Sequence, residues 1–280
     1  MIQQRTLLRL TLLSGCALAW SLLPASAQDF IERSANGSIN WSSGEVHATG
    51  IGVPPERYKK YPARARAMAI RAAKIDALRN LMEQMQGVRV ESQTLMKDAA
   101  IDSDLVRTTM KGTVRNASMV GKPHYMEDMS VEIEMAVNYR QSIAAPAAKI
   151  VTQQLQQEAR SQPQAPIESA PNAPITGLII DAHGLGLRPA IAPKIVTKSG
   201  KVIYSALIAD SSHDSELVAY DRSLNDAKKL ARAGDHPAVI KGSSVQDISD
   251  IVISDADAAR LDQMGGLNSV LRQARVIIIL

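Results

Sequence analysis

The residues that could do chemistry fall in one turn, one acidic segment and one basic approach to a helix. Asp181 and His183 close a short apolar run that starts at Gly177, and the turn Gly184-Leu185-Gly186 behind them could cradle an anion with Arg188 alongside. In α/β enzymes the end of a first strand is where catalytic groups collect. A phosphate loop, however, continues with Lys-Ser/Thr and opens a helix, whereas Pro189 and the strand-like run Ile191 to Thr197 follow here. A structural turn accounts for the same residues. A metal site would recruit Asp181, His183, His213, Asp214 or His236, which show neither HExxH nor paired-His spacing. Asp255 and Asp257, with Arg260, lie in SDADAARL and suggest Ca²⁺, but Ser254 capping a helix with two acids in its first turn explains them more simply. No Gly-x-Ser-x-Gly supports a serine nucleophile. The expectation is therefore a non-enzymatic chain with no catalytic residue, no cofactor and no metal.

Arg57, Lys59, Lys60, Arg64 and Arg66 form the basic approach. Positive charge at a helix N-terminus is opposed by the macrodipole, so these side chains do not stabilise the helix they precede. They read either as a solvated face or as a patch for an acidic partner, anionic headgroups or polymer.

The helix they precede, Pro62 to Gln86, is the element around which the first half is organised. Met68, Ala72, Ile75, Leu78, Met82 and Met85 fall on one row, and Ile70, Ala73, Ala77 and Leu81 on a second beside it, giving one broad apolar face. Pro62 suits the first helical position and Gly87 the residue past the end. Before the helix, Gly37 to Gly52 reads as a hairpin turning at Ser43-Gly44. After it come a strand at Val88 to Ser92 and a short helix from Asp102 or Ser103 to Lys111. Strands at Thr113 to Lys122 and Met129 to Tyr139 complete this half. Polar alternate positions on these strands imply a sheet solvated on one side and covered by helix on the other.

Residues 1–27 carry Arg5 and Arg9 without an acid, an apolar run from Leu10 to Leu23, and Ala25-Ser26-Ala27, the layout of a secretory signal peptide. Leu13-Ser14-Gly15-Cys16 competes with that reading, because it matches the lipobox at which lipoproteins are acylated on Cys. Cleavage after Ala27 would leave no Cys and place the chain in the periplasm; acylation at Cys16 would make it an outer-membrane lipoprotein. Of 32 basic residues against 28 acidic, two lie in this leader, so the net charge falls from +4 to +2 without it. That balance does not indicate a nucleic-acid partner. With aromatic residues at 3 %, cores must be built from Ile, Val, Leu, Met and Ala, and few stacking platforms remain for single strands or sugars.

Two domains follow the leader: residues 28–142, then a Pro/Gln/Ala-rich linker at 143–174, then residues 175–280. Within the linker, Ala147 to Gln162 has the spacing of a modest helix. In the last domain a strand from Gly177 to Asp181 and a hairpin around Lys198-Ser199-Gly200 precede a helical pattern from Asp214 to Ala233. Strands at Ala238 to Val245 and Asp250 to Ser254, helices at Asp255 to Met264 and Leu267 to Gln273, and a final strand, Arg275 to Leu280, complete it. The run VIIIL must be buried inside a sheet, because an exposed edge of that kind invites aggregation. The fold class expected is α+β, with two domains that each pack a mostly antiparallel or mixed sheet against helices.

Trp41, the segment Gly44 to Gly52, the helix segment Ala65 to Leu81 and Gly87-Val-Arg-Val90 together resemble the LPP-twenty lipoprotein family. They are also similar to the N-terminal domain of the flagellar assembly protein T family, over about residues 29–140. Members of these families are non-enzymatic envelope or flagellar components. The resemblance implies a structural or assembly factor whose partners are envelope or flagellar subunits, or further copies of the chain, with outer-membrane association. It carries over no catalytic residue. The alternative is a periplasmic ligand binder or enzyme working through Asp181, His183, Gly184, Gly186 and Arg188.

Overall fold

The computed structural model describes residues 29–159, 174–213 and 216–280. The leader with Cys16, the middle of the segment read as a linker, and Asp214 lie outside the described residues. The chain is α+β.

The N-terminal unit runs β1 (Ile31–Arg33), β2 (Gly37–Asn40), β3 (Glu45–Gly52), α1 (Pro62–Gln86), α2 (Met96–Asp102), α3 (Asp104–Arg115), β4 (Ser118–Tyr125), β5 (Val131–Asn138) and α4 (Ala145–Ala159). Its five strands form an antiparallel sheet in the order β1-β2-β3-β5-β4. Pairing of β3 with β5 runs from Glu45 opposite Asn138 at one end to Gly52 opposite Val131 at the other. Val46, Ala48, Gly50 and Gly52 point to the α1 side, and Glu45, His47, Thr49 and Ile51 point away, as the period of two requires.

Helix α1 has the expected bounds, with Pro62 in its first turn and Gly87 as C-cap. The buried row is the expected one in part: Ala73, Ala77, Leu81 and Met85 belong to the expected apolar face, Ala65 and Ala69 do not. Ala65, Ala69, Ala73, Ala77, Leu81 and Met85 are fully buried, whereas Ile75 is 62 % exposed. The reason lies in β3. A Cβ on Gly50 would stand 2.1 Å from the Ala77 amide nitrogen, and one on Gly52 2.0 Å from the Ala69 carbonyl oxygen. Backbone rests on backbone, so only alanine fits between them, and the larger apolar residues are displaced to the flanks and the solvent side.

Three further expectations change. Val88 to Ser92 is not a sheet strand: Arg89 makes one bridge to Leu95, and the Arg89 and Val90 carbonyls accept the Ile191 and Ala192 N–H groups at 3.0 and 2.7 Å. The expected short helix is two helices, with Ser103 capping α3 by accepting the Val106 N–H. Because α3 continues past Gly112, β4 begins at Ser118, not at Thr113. Helix α4 occupies the start of the segment read as linker and buries Ala147, Ala148 and Val151.

The C-terminal unit contains β6 (Gly177–Asp181), β7 (Ile195–Thr197), β8 (Val202–Tyr204), β9 (Ala219–Asp221), α5 (Leu224–Ala227), β10 (Pro237–Lys241), β11 (Ser244–Gln246), β12 (Asp250–Ile253), α6 (Asp255–Asp262), α7 (Leu267–Arg272) and β13 (Val276–Ile279). One sheet, β10-β6-β13-β9, is parallel throughout; the other, β11-β12-β7-β8, is mixed. Strand β13 lies between β6 and β9 and is buried along its length, which explains a run that is apolar on both faces. The helical pattern from Asp214 to Ala233 resolves instead into β9 and the single turn α5. Pairing of Tyr220 with Ile278 outweighs the local periodicity, and Ser223 caps α5 by accepting the Asp226 N–H.

The two units share one core. At their junction Trp41 meets Tyr139 and Tyr220 edge to face, each at 6.1 Å, a geometry that aromatic pairs favour. The Tyr220 hydroxyl donates to the Ala190 carbonyl at 2.7 Å and accepts the Ala190 N–H at 2.9 Å. Glu216 holds both Arg140 and Arg232, at 3.4 and 3.2 Å. Burial pushes the Tyr139 phenol up to about 12 and raises Tyr204 and Tyr220 as well.

Candidate functional site

The five basic residues of the sequence reading gather at the end of the N-terminal sheet opposite the junction. Pro54 and Pro55 stop β3, a single 3₁₀ turn spans Glu56–Tyr58, and α1 starts at Pro62. The Arg57 and Arg64 guanidinium groups lie over the Tyr58 ring at 4.9 and 5.2 Å from its centroid. Arg66 lies over the Tyr125 ring at 5.6 Å. Register explains that contact: Tyr125 pairs with Val131, which pairs with Gly52, so the end of β4 reaches the start of α1. Cation–π contact holds these guanidinium groups near the rings without neutralising them.

Charge balance at this end is one-sided. Lys59 is engaged by Glu56 at 2.7 Å, and that hydrogen bond raises the ammonium above its usual range. Among the described residues Arg57, Lys60, Arg64 and Arg66 form no ion pair, and all four are exposed. No acid stands in the first turn of α1, and Tyr61, its N-cap, supplies no side-chain cap. Tyr61 and Val53 are both more than half exposed. Tyrosine and arginine are among the residue types enriched in binding hot spots. Sequence reasoning found the charges and missed the tyrosines.

The turn after β6 is arranged differently. The Asp181 carboxylate accepts the His183 N–H at 3.0 Å, while the His183 ring lies 3.4 Å from the Leu280 carbonyl oxygen. Asp181 thereby closes its own turn. Gly184 and Gly186 take positive φ, which glycine adopts without strain. Arg188 leaves this group and pairs across the junction with Glu32, which also accepts the Trp41 indole N–H at 3.1 Å. Burial alone would raise the Glu32 carboxyl; the hydrogen bonds from Arg188 and Trp41 outweigh it and hold the group below its usual value. Asp181 and His183 are thus neighbours, and Arg188 serves the junction.

His213, at the end of a 3₁₀ turn, and His236, in the loop before β10, make other contacts: the His213 ring contacts the Ser212 hydroxyl, and the His236 N–H donates to the Thr176 hydroxyl. Among the described residues no group of three His, Cys, Asp or Glu is placed to hold a metal ion. Asp257 accepts from the Ser254 hydroxyl at 2.7 Å. It also accepts from Arg260 at 3.0 Å. Asp255 accepts from Ser199, so this acidic segment is a helix cap tied to the β7–β8 hairpin.

A cleft of about 800 Å³ opens beside the outward face of the N-terminal sheet, between Glu45 and His47 on one side and Thr109, Thr113 and Asn116 on the other. His47 lies 2.8 Å from Glu134 and 3.7 Å from Glu45. Nothing in the local sequence marks it, because the residues of β3 and α3 that line it lie far apart in the chain.

Residues 177–280 match the family described as Treponema pallidum Tp0624, second domain. The match covers the C-terminal unit from the first residue of β6 to the end of β13 and beyond it to Leu280. It corrects the sequence reading, because it falls on the Tp0624 second domain and not on the LPP-twenty family or the flagellar assembly protein T domain. The residues that carried that resemblance have a packing explanation: Gly50 and Gly52 against Ala69, Ala73 and Ala77 impose a pattern of small residues on any helix laid this closely on a strand. No curated protein matches the chain.

Proposed function

We propose that this protein is a non-enzymatic assembly factor of the cell envelope, exported by its leader. It docks onto an acidic surface through the basic, tyrosine-lined end of α1. The observation that carries this reading is the group of four exposed cations without ion pairs among the described residues, two of them resting on Tyr58, at the end of the N-terminal sheet remote from the junction. The shared core at the junction supports a rigid scaffold, since a docked N-terminal unit would hold the C-terminal unit in a fixed orientation.

Charge reversal tests the reading. Lys59 is already engaged by Glu56, so Arg57→Glu with Lys60→Glu removes free charge without breaking an ion pair. The wild-type chain is expected to sediment with envelopes isolated from cells that express it. It should be released near ~1 M salt, where the screening length is only about 3 Å. The double variant should stay in the supernatant. Sedimentation of the variant equal to wild type would overturn the proposal.

A further inference from the structure

The row of α1 that the core leaves out has a pattern of its own. Tyr61, Arg64, Met68, Arg71, Ile75 and Arg79 recur at intervals of three and four residues, which places them on one helix face along most of its length. Ile75 is 62 % exposed and lies opposite the buried alanines; Tyr61 is equally exposed. The three arginines are exposed with them, and Met68 is half-buried at the edge of the row. Apolar or aromatic side chains thus alternate with guanidinium groups along a surface that faces solvent. Charge is concentrated here: residues 56–86 hold eight Lys or Arg against three Asp or Glu, more excess positive charge than the whole chain carries. Two of those acids are already engaged, Glu56 by Lys59 and Asp76 by the Ile51 N–H and Arg79.

We infer that this outer face of α1 lies flat on an anionic phospholipid surface, with Tyr61 and Ile75 reaching below the headgroups, Met68 beside them, and Arg64 and Arg71 among the phosphates. The inference rests on the docking reading above and specifies its surface. A partner helix is the competing occupant and fits less well. In a helix–helix seam every second position would bury an arginine needing its own carboxylate, whereas at a bilayer surface each guanidinium stays hydrated and meets phosphate while its stem packs beside the apolar tips. Tyrosine favours the same depth. Among the described residues no helix is long and apolar enough to cross a membrane, so the contact is one of lying on the surface.

The test uses the chain from Gln28 onward with vesicles of phosphatidylcholine, with and without phosphatidylglycerol. Binding is expected only to the anionic vesicles. Each basic residue at an anionic surface contributes roughly fivefold in affinity, so Arg64→Gln with Arg71→Gln should weaken binding about 25-fold. Ile75→Ser should weaken it further without shifting the thermal melt, because that side chain is outside the core. Equal binding to neutral and anionic vesicles, no vesicle binding, or an unchanged Arg64→Gln/Arg71→Gln variant would overturn the inference. Absence of vesicle binding together with charge-dependent envelope sedimentation would leave the docking reading standing and identify the acidic surface as protein or polymer.

Discussion

Replacing Gly50 by alanine adds one methyl group where the structure has no space. Its Cβ would stand 2.1 Å from the Ala77 nitrogen, 2.5 Å from the Ala73 oxygen and 2.6 Å from the Ala77 Cα. All three are backbone atoms of α1, so no side chain can rotate away. To restore ordinary contact the helix must lift from β3 by more than ~1 Å, which loosens the dry layer under Ala69, Ala73, Ala77 and Leu81. Overpacking costs typically about 1–3 kcal/mol, and a rigid backbone neighbour puts this site at about 3 kcal/mol. That corresponds to a fall in melting temperature of about 6–12 °C for a chain of this size. Gly112→Ala is the internal control. Gly112 lies inside α3, its Cβ would meet nothing within 4 Å, and its φ is not positive. Removing its backbone freedom should stabilise by about 0.4–1 kcal/mol. Thermal and urea melts followed by far-ultraviolet circular dichroism read both. A Gly50→Ala variant within about 0.5 kcal/mol of wild type, or two substitutions moving stability in the same direction, would refute the backbone-on-backbone account.

Trp41→Ala should cost about 3–5 kcal/mol and split a single urea transition into two, because Trp41 joins Tyr139 of one unit to Tyr220 of the other; one unshifted transition would count against a shared core. Alkaline stability should fall between the unfolded and folded values of Tyr139, from 10.0 to about 12. The folded state there keeps a proton that the unfolded chain releases, so stability is full below pH 10 and declines above it, with Tyr139 contributing about 2 kcal/mol of the loss by about pH 12. Tyr139→Phe should lessen that decline without abolishing it, because Tyr204 and Tyr220 are raised as well, read as the pH dependence of the urea midpoint.

The bounds of α1, the hairpin at Gly44, β5 and the enclosed β13 were legible because each has a local cause: Pro62, a turn glycine, strict alternation, an apolar run too long for an edge. The buried row of α1 was legible only in part, since Ala73, Ala77, Leu81 and Met85 fell on the expected face and Ala65 and Ala69 did not. Periodicity favoured Met68, Ile75 and Leu78, which are larger than alanine, and the deciding fact, two glycines facing the helix from β3, belongs to another segment. The segments 88–92 and 214–233 failed for the same reason, since their partners, Ile191 and Ile278, lie far along the chain from them. The basic patch could be read as a cluster of charges. Its extension through Arg71 and Ile75 could not, because knowing which face is free requires knowing which face is buried.

That dependence links the fold to the proposed docking. A helix seated on a strand through alanine needs few large apolar residues beneath it, yet α1 carries Ile75, with Met68 at the edge and Tyr61 exposed at its N-cap, on the side that the core does not use. Core packing would be served as well by polar residues there, and solubility would be served better. Of the arginines between them, Arg64 stands in the first turn of α1, where the macrodipole opposes it. A face that costs solubility and gains nothing from the core supports the external contact proposed above. Of the charge that would steer that contact, Arg71 and Arg79 lie back along α1 over β3, whereas Arg57, Lys60 and Arg64 lie past the far end of β3 from the junction. A strand of that length separates those last three from the junction by more than two screening lengths at physiological salt. Docking through α1, as proposed, would therefore be coupled to the C-terminal unit through packing at the junction, namely the Trp41 cluster and the backbone hydrogen bonds that Ile191 and Ala192 donate to Arg89 and Val90 just past the end of α1.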